Sequence, residues 1–173
     1  MSYKIHLQNV SRIKKIPTKN QFKTWIISAL NSRINQAEIT VRIVDEEESA
    51  QLNQQYRQKQ GATNILSFPY KQLAINKKPT TLIEHQENTC LIGDLVICAP
   101  VVMQEATMQH KEVESHWAHL IVHGALHLLG HDHIKEDQAT IMENLEIHIL
   151  HSLGINNPYQ FIENSSAEQI NEK

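Results

Sequence analysis

Seven of the eleven histidines fall in the 24 residues from His110 to His133. The segment His123-Gly124-Ala125-Leu126-His127-Leu128-Leu129-Gly130-His131-Asp132-His133 has the types and spacing of a metal site. On a helix, His123 and His127 stand one turn apart on one face. Zinc enzymes present two nitrogen ligands from a rigid element in this way. Gly130 is free to take positive φ and turn the chain back, so His133 can reach the same ion from the other side. Three protein ligands leave a fourth position open, which is the catalytic arrangement and not the structural one. One zinc ion per chain is the first choice for three imidazoles, with nickel, copper and iron open on donor type alone. Such a centre makes hydroxide available at neutral pH and polarises a carbonyl or phosphoryl oxygen. These residues therefore read as a metal-assisted hydrolase of unspecified substrate.

The spacing H-x3-H-x5-H, with glycine between the second and third histidines, matches the metzincin pattern at every place but one. The glutamate that serves zinc peptidases as general base is Gly124 here. That weakens a peptidase reading and leaves the metal reading intact. Asp132 is placed to orient a ligand imidazole or to cap the turn, and His131 lies in the same turn. His119 shares the helix face of His123 and His127; it either lines the cleft or sits on the surface, as His116 does. His110, His148 and His151 are given no role.

The elements that must position this segment are legible from periodicity. Tyr3 to Val10 alternates as a strand, with Tyr3, Ile5 and Leu7 on one face. Phe22, Trp25, Ile26, Ala29 and Leu30 recur at helical spacing and predict a helix over about 20–33. Ile39, Val41 and Ile43 mark a second strand. Asp45 followed by Glu48 reads as a capping box, opening a helix to about Gln58 with Leu52 and Tyr56 facing inward. Ala62 to Phe68 is a short apolar run closed by Pro69, and residues 70–88 read as a loop or ragged hairpin. Cys90 to Cys98 reads as a buried strand in which Asp94 needs a partner. Pro100 opens helical pattern that breaks near 110–113 and resumes to Leu129, where Gly130 takes the C′ place. A last helix spans about 136–152 on Ile141, Met142, Leu145 and Ile149, stopped by Gly154. Strands early and helices late favour an α+β fold.

Length and charge bound the partners. A chain of 173 residues with 40% apolar content suits one domain. It is drawn at 1–155, with a frayed polar tail over 156–173. Mean hydropathy of −0.40 and the lack of a long apolar run exclude a transmembrane span. Nothing near Met1 resembles a signal peptide, and Cys90 and Cys98 alone make no disulfide scaffold. A cytoplasmic protein without membrane contact is expected. The net charge is −3, yet residues 1–42 hold eight Lys/Arg against Glu38 alone. Residues 56–78 add Arg57, Lys59, Lys71, Lys77 and Lys78 with no acid. An acidic chain can thus present a basic face to a polyanion, or simply carry solvated lysines.

Three blocks together resemble one family, the YbeY rRNA maturation factors, which are single-strand-specific endoribonucleases. They are Leu52-Asn53-Gln54-Gln55-Tyr56-Arg57 running into Thr63-Asn64-Ile65-Leu66-Ser67-Phe68-Pro69, then Ile92-Gly93-Asp94-Leu95-Val96-Ile97, then the histidine segment. The resemblance covers most of 3–155. Gln60, Ala62 and Asn64 depart from its usual acid, proline and aspartate, while Gly124 is typical of it. The resemblance implies a zincin-like α+β fold, with a small mixed sheet packed by several helices and the metal at a helix and the turn after it. It implies processing of the 3′ end of small-subunit rRNA and ribosome quality control, with ribosomal or small-subunit proteins as partners. His123, His127 and His133 match its zinc ligands, and Arg57 its functional arginine, so Arg57 and His123 stand as catalytic. On residues alone, Arg57 either holds a phosphodiester or pairs with the acids at 45–48. Ser67 either bonds a phosphate or satisfies a strand end. A zinc metallopeptidase and a non-enzymatic assembly factor with structural zinc are the rival readings.

Overall fold

The computed structural model describes residues 2–30, 33–70, 91–131 and 136–160. Nine elements follow in chain order. They are β1 (Ser2–Asn9), α1 (Lys19–Leu30), β2 (Gln36–Val44), α2 (Glu46–Arg57), β3 (Ile65–Pro69), β4 (Leu91–Cys98), α3 (Ala99–Met108), α4 (Val113–Leu128) and α5 (Glu136–Ser152). The sheet runs β1-β2-β4-β3. β1, β2 and β4 are parallel, and β3 closes one edge antiparallel to β4, with Ile65 opposite Ile97 and Pro69 opposite Gly93. The fold is α+β on a mixed sheet, as the sequence indicates. The residues expected as a loop over 70–88 lie outside the described ones, apart from Tyr70.

Alternation along the strands divides the core between two faces. Ile39, Val41, Ile43, Ile65, Leu95 and Ile97 pack with α1, α4 and α5 into the main core. Val44, Leu66, Val96 and Cys98 form a smaller cluster with Leu52 of α2 and Phe68. Phe22 meets the fully buried Trp117 edge-on at 5.8 Å, which seats α1 against α4.

Four local expectations are corrected. Asp45 occupies the N-cap position of α2 but caps nothing with its side chain. Its carboxylate accepts from the Ser11 hydroxyl and from Arg12, Nε at 2.8 Å, and Glu48 takes the Arg42 guanidinium on both oxygens. Cross-element cations compete better for these carboxylates than local backbone N–H groups do. Tyr56 is 59% exposed; Ser49 and Asn53 are the buried residues of α2. Ile141 likewise faces solvent, and the inner stripe of α5 is Met142, Glu146, Ile149 and Leu150. Asp94 is only half-buried, so it does not need the enclosed partner expected for it.

α4 lies unusually close to the sheet at one point. A Cβ built on Gly124 would stand 2.6 Å from Ile65 Cδ1, 2.9 Å from Leu95 Cδ2 and 3.3 Å from Ser67 Oγ. The missing glutamate of the peptidase pattern therefore has a packing reason, since position 124 faces β3 and β4. Beyond α4, Gly130 has φ of +87°. His131 N–H donates to Leu126 O at 3.1 Å and Gly130 N–H to His127 O at 2.9 Å, a Schellman closure.

Behind the sheet edge, Glu105 of α3 accepts from His116 Nε2 at 2.8 Å and from Asn64 Nδ2 at 3.1 Å. His116 is buried, not at the surface as expected. Burial pushes the Glu105 carboxyl up, but the bonds from His116 and Asn64 outweigh it and hold the group below its ordinary 4.5. A depressed carboxyl contributes stability above its unfolded value, and that contribution is lost as pH falls through the folded one. Glu105→Gln should therefore flatten the loss of stability below about pH 4.5; urea midpoints across pH 3–6 check it, and an unchanged acid limb counts against it. Gly124→Ala should cost about 1 kcal/mol, overpacking of ~1–3 kcal/mol outweighing the gain in helix propensity. Gly124→Glu should cost about 3–5 kcal/mol by adding a buried charge. Urea midpoints measure both, and a glutamate variant as stable as the parent would show that the gap is not tight.

Candidate metal centre

α4 carries His116, His119, His123 and His127 because its apolar residues alternate with them at helical spacing. Leu120, Ile121, Val122, Ala125 and Leu126 are buried and fix the helix rotation, leaving the last two histidines half-buried on one face. Their rings are edge-on, with centroids 4.6 Å apart.

Hydrogen bonds decide which nitrogen of each ring carries its proton. His123 Nδ1 lies 2.7 Å from Glu146 Oε1, and a carboxylate only accepts, so Nδ1 is the donor. His127 Nδ1 lies 2.9 Å from the His131 carbonyl oxygen, which also only accepts. Each neutral ring therefore presents an unprotonated Nε2, and the two Nε2 atoms are 3.1 Å apart. Two ring nitrogens that close hold either a proton or a metal ion between their lone pairs. Tetrahedral zinc with nitrogens at roughly 2.0–2.1 Å sets neighbouring ligand nitrogens roughly 3.3 Å apart. The donor set and its spacing fit a divalent ion.

Glu146 was not visible to sequence reasoning, although one signal existed. It is an acid in the apolar stripe of α5, four residues after Met142 and four before Leu150. Its side chain is fully enclosed. Besides His123 it accepts from His119 Nε2 at 3.1 Å and from the Tyr159 hydroxyl. Burial alone would raise its carboxyl, but the bonds from His119, His123 and Tyr159 hold it down to about 2. The same burial lowers His119, against the pull of Glu146. Ligand-type atoms of His119, His123 and Glu146 lie within 4.8 Å of one another, a group able to hold a metal ion.

The other expected residues are distributed as follows. His119 is half-buried, and its Nε2–H is engaged by Glu146. His131 contributes its main-chain carbonyl to His127, and burial lowers its own ring. Asp132 and His133 lie outside the described residues. Ser67 reaches over the sheet edge toward the Gly124 carbonyl, a long 3.4 Å contact. Arg57 is exposed at the end of α2 and makes no ion pair among the described residues. The pairing of Arg57 with residues 45–48 is not found among the described residues; Arg12 takes Asp45 and Arg42 takes Glu48. Tyr56, beside Arg57, meets Phe68 of β3 edge-on at 5.0 Å. Phe68 and Ser67 point to opposite faces of β3, so one edge strand links the end of α2 to the helix of histidines.

Comparison with known proteins gives the family of the chain. The family model described as Endoribonuclease YbeY matches residues 5–154. A protein named endoribonuclease YbeY from Nitrosococcus oceani is 46% identical over 162 residues, 94% of this chain and 100% of its own. One of the same name from Methylococcus capsulatus is 50% identical over 147 residues, 85% of this chain and 89% of its own. A solution structure of a Thermotoga maritima protein superposes with a TM-score of 0.54 at 18% identity, covering 90% of this chain and 99% of that one, which bears on the fold alone. The chain belongs to the YbeY endoribonuclease family.

Proposed function

We propose that this protein is a zinc-dependent endoribonuclease that cuts single-stranded RNA in the maturation of ribosomal RNA, at the 3′ end of the small-subunit rRNA. The observation that carries the metal part is the facing Nε2 pair of His123 and His127, with both Nδ1 protons already committed. Membership in the family carries the nuclease part. His123, His127 and His133 would hold the ion, the last assigned from the sequence pattern. An all-imidazole donor set suits zinc. A zinc ion bound there supplies Lewis acidity toward a phosphoryl oxygen and activates a nucleophile at neutral pH.

The chain's own residues divide the rest of the work. Arg57 presents a guanidinium with no ion pair among the described residues, able to grip a phosphodiester on two oxygens and offset charge that develops on it. Glu146 is enclosed, so it orients His123 and does not meet substrate. The His131 carbonyl does the same for His127. Ser67 closes the edge of β3 beside the metal pair, where it can bond a phosphate. Lys59 and Arg57 supply basic character at this edge, although Arg12 and Arg42 are spent on Asp45 and Glu48. The gap at Gly124 leaves no room for the peptidase base, which counts against a metallopeptidase. No helix among the described residues is long and apolar enough to cross a membrane. We place the protein in the cytoplasm, working with the ribosome.

Labelled single-stranded RNA tests the reading. The wild type should cut it, and Arg57→Ala should cut roughly 10²–10³-fold more slowly with equal zinc content, read by atomic absorption. Equal rates would remove Arg57 from the mechanism. Chelation should abolish cleavage and added zinc restore it, whereas a zinc-loaded wild type that never cuts RNA or ribosomes would favour the assembly-factor reading. RNA affinity, read by fluorescence anisotropy, should fall as salt rises; a flat response would count against a phosphate-based interface.

A further inference from the structure

We propose that Glu146 and Tyr159 are positioning residues of the metal pair, so that the segment following α5 is a working part of the metal site. The proposal rests on the reading that His123 and His127 hold the ion, and it assigns residues outside that ligand set.

The geometry is closed on every side. Glu146 Oε1 takes the His123 Nδ1 proton, while Oε2 takes the His119 Nε2 proton and the Tyr159 hydroxyl. Three donors surround a carboxylate with no exposure to solvent, which is how an enclosed charge is made tolerable. A carboxylate behind a ligand imidazole fixes its tautomer, holds its ring plane and raises its basicity. His119 braces the arrangement, its ring edge-on to His123 at 6.2 Å and to Tyr159 at 5.3 Å.

Tyr159 is brought there by a built turn. Gly154 at φ of +75° ends α5, and Ile155 N–H donates back to Leu150 O at 2.9 Å. Leu153 and Ile155 pack on the main core. Asn157 Oδ1 then accepts from Tyr159 N–H at 2.9 Å, aiming the ring at His119. Residues 156–160, read from sequence as tail, thus deliver a hydroxyl to the carboxylate behind His123.

The test compares wild type, Tyr159→Phe and Glu146→Gln, all as the full chain. Zinc affinity is read by competition with a chromophoric chelator, and histidine tautomers of the metal-free protein by long-range ¹H–¹⁵N spectra. Glu146→Gln should bind zinc about 10- to 100-fold more weakly and lose the pure Nδ1–H state of His123. Tyr159→Phe keeps the ring against His119 and should weaken binding about 3- to 10-fold, the worth of one hydrogen bond. A purely structural role would lower thermal stability and leave both readouts unmoved. Affinities within twofold of wild type, with the His123 tautomer unchanged, overturn the proposal. If Glu146→Gln does not fold, Tyr159→Phe decides alone, since its side chain is partly exposed and its ring is retained. Wild type that binds no zinc overturns the metal reading and this proposal together; equal binding by all three overturns this proposal alone.

Discussion

Two imidazoles one turn apart on a helix share a face, but where that face looks depends on the rotation of the helix, and α4 is kept from rolling by its approach to the sheet at Gly124. Ile65, Leu95 and Ser67 fill the space a side chain there would need. Two turns earlier on the same helix, Trp117 is pressed against Phe22. The two contacts fix the rotation of the helix, and with it the side on which His123 meets Glu146 of α5. The catalytic options of the scaffold follow from this packing. A helix set this close to β3 gives up the residue that peptidases use as a base, and it gains a short path from the histidine pair to the edge strand.

The second constraint is electrostatic. An enclosed carboxylate is unfavourable in isolation, and Glu146 is tolerated because three donors converge on it. The same three bonds settle the orientation of the rings. Stability and ring orientation thus draw on one cluster: what makes the buried charge tolerable also keeps the His123 Nδ1 proton on the side of Glu146. The His131 carbonyl plays the matching part for His127 through the turn that Gly130 permits. One ring is held by a distant helix and the other by its own helix's end.

Much of this was legible in the sequence, for identifiable reasons. Strand and helix positions followed from apolar periodicity, because burial on one face is what periodicity records. The histidine pair followed from i, i+4 spacing, and Gly130 from the conformation a helix end requires. What was not legible depended on side chains meeting across elements. Asp45 and Glu48 have the pattern of a cap, but Ser11, Arg12 and Arg42 arrive from elsewhere and claim them. Tyr56 fits the apolar stripe of α2, yet the helix turns Ser49 and Asn53 inward, where Ser49 bonds Thr63 and Asn53 bonds the Gly61 carbonyl. Glu146 is the instructive omission. A lone acid in an apolar stripe announces a buried charge, but only the fold reveals that its donors stand 23 residues before it and 13 after.

That last separation has a consequence for biosynthesis. Chain order is also the order of emergence during translation, so His123 and His127 leave the ribosome well before the carboxylate and the hydroxyl that complete their surroundings. Until α5 and the turn after it are made, the two rings lack the acceptor that sets His123, and the helix carrying them lacks its cover. The surroundings of His123 are therefore completed only once Glu146 and then Tyr159 have been made, and a chain stopped short of that turn carries its histidines without the full set of donors around the carboxylate.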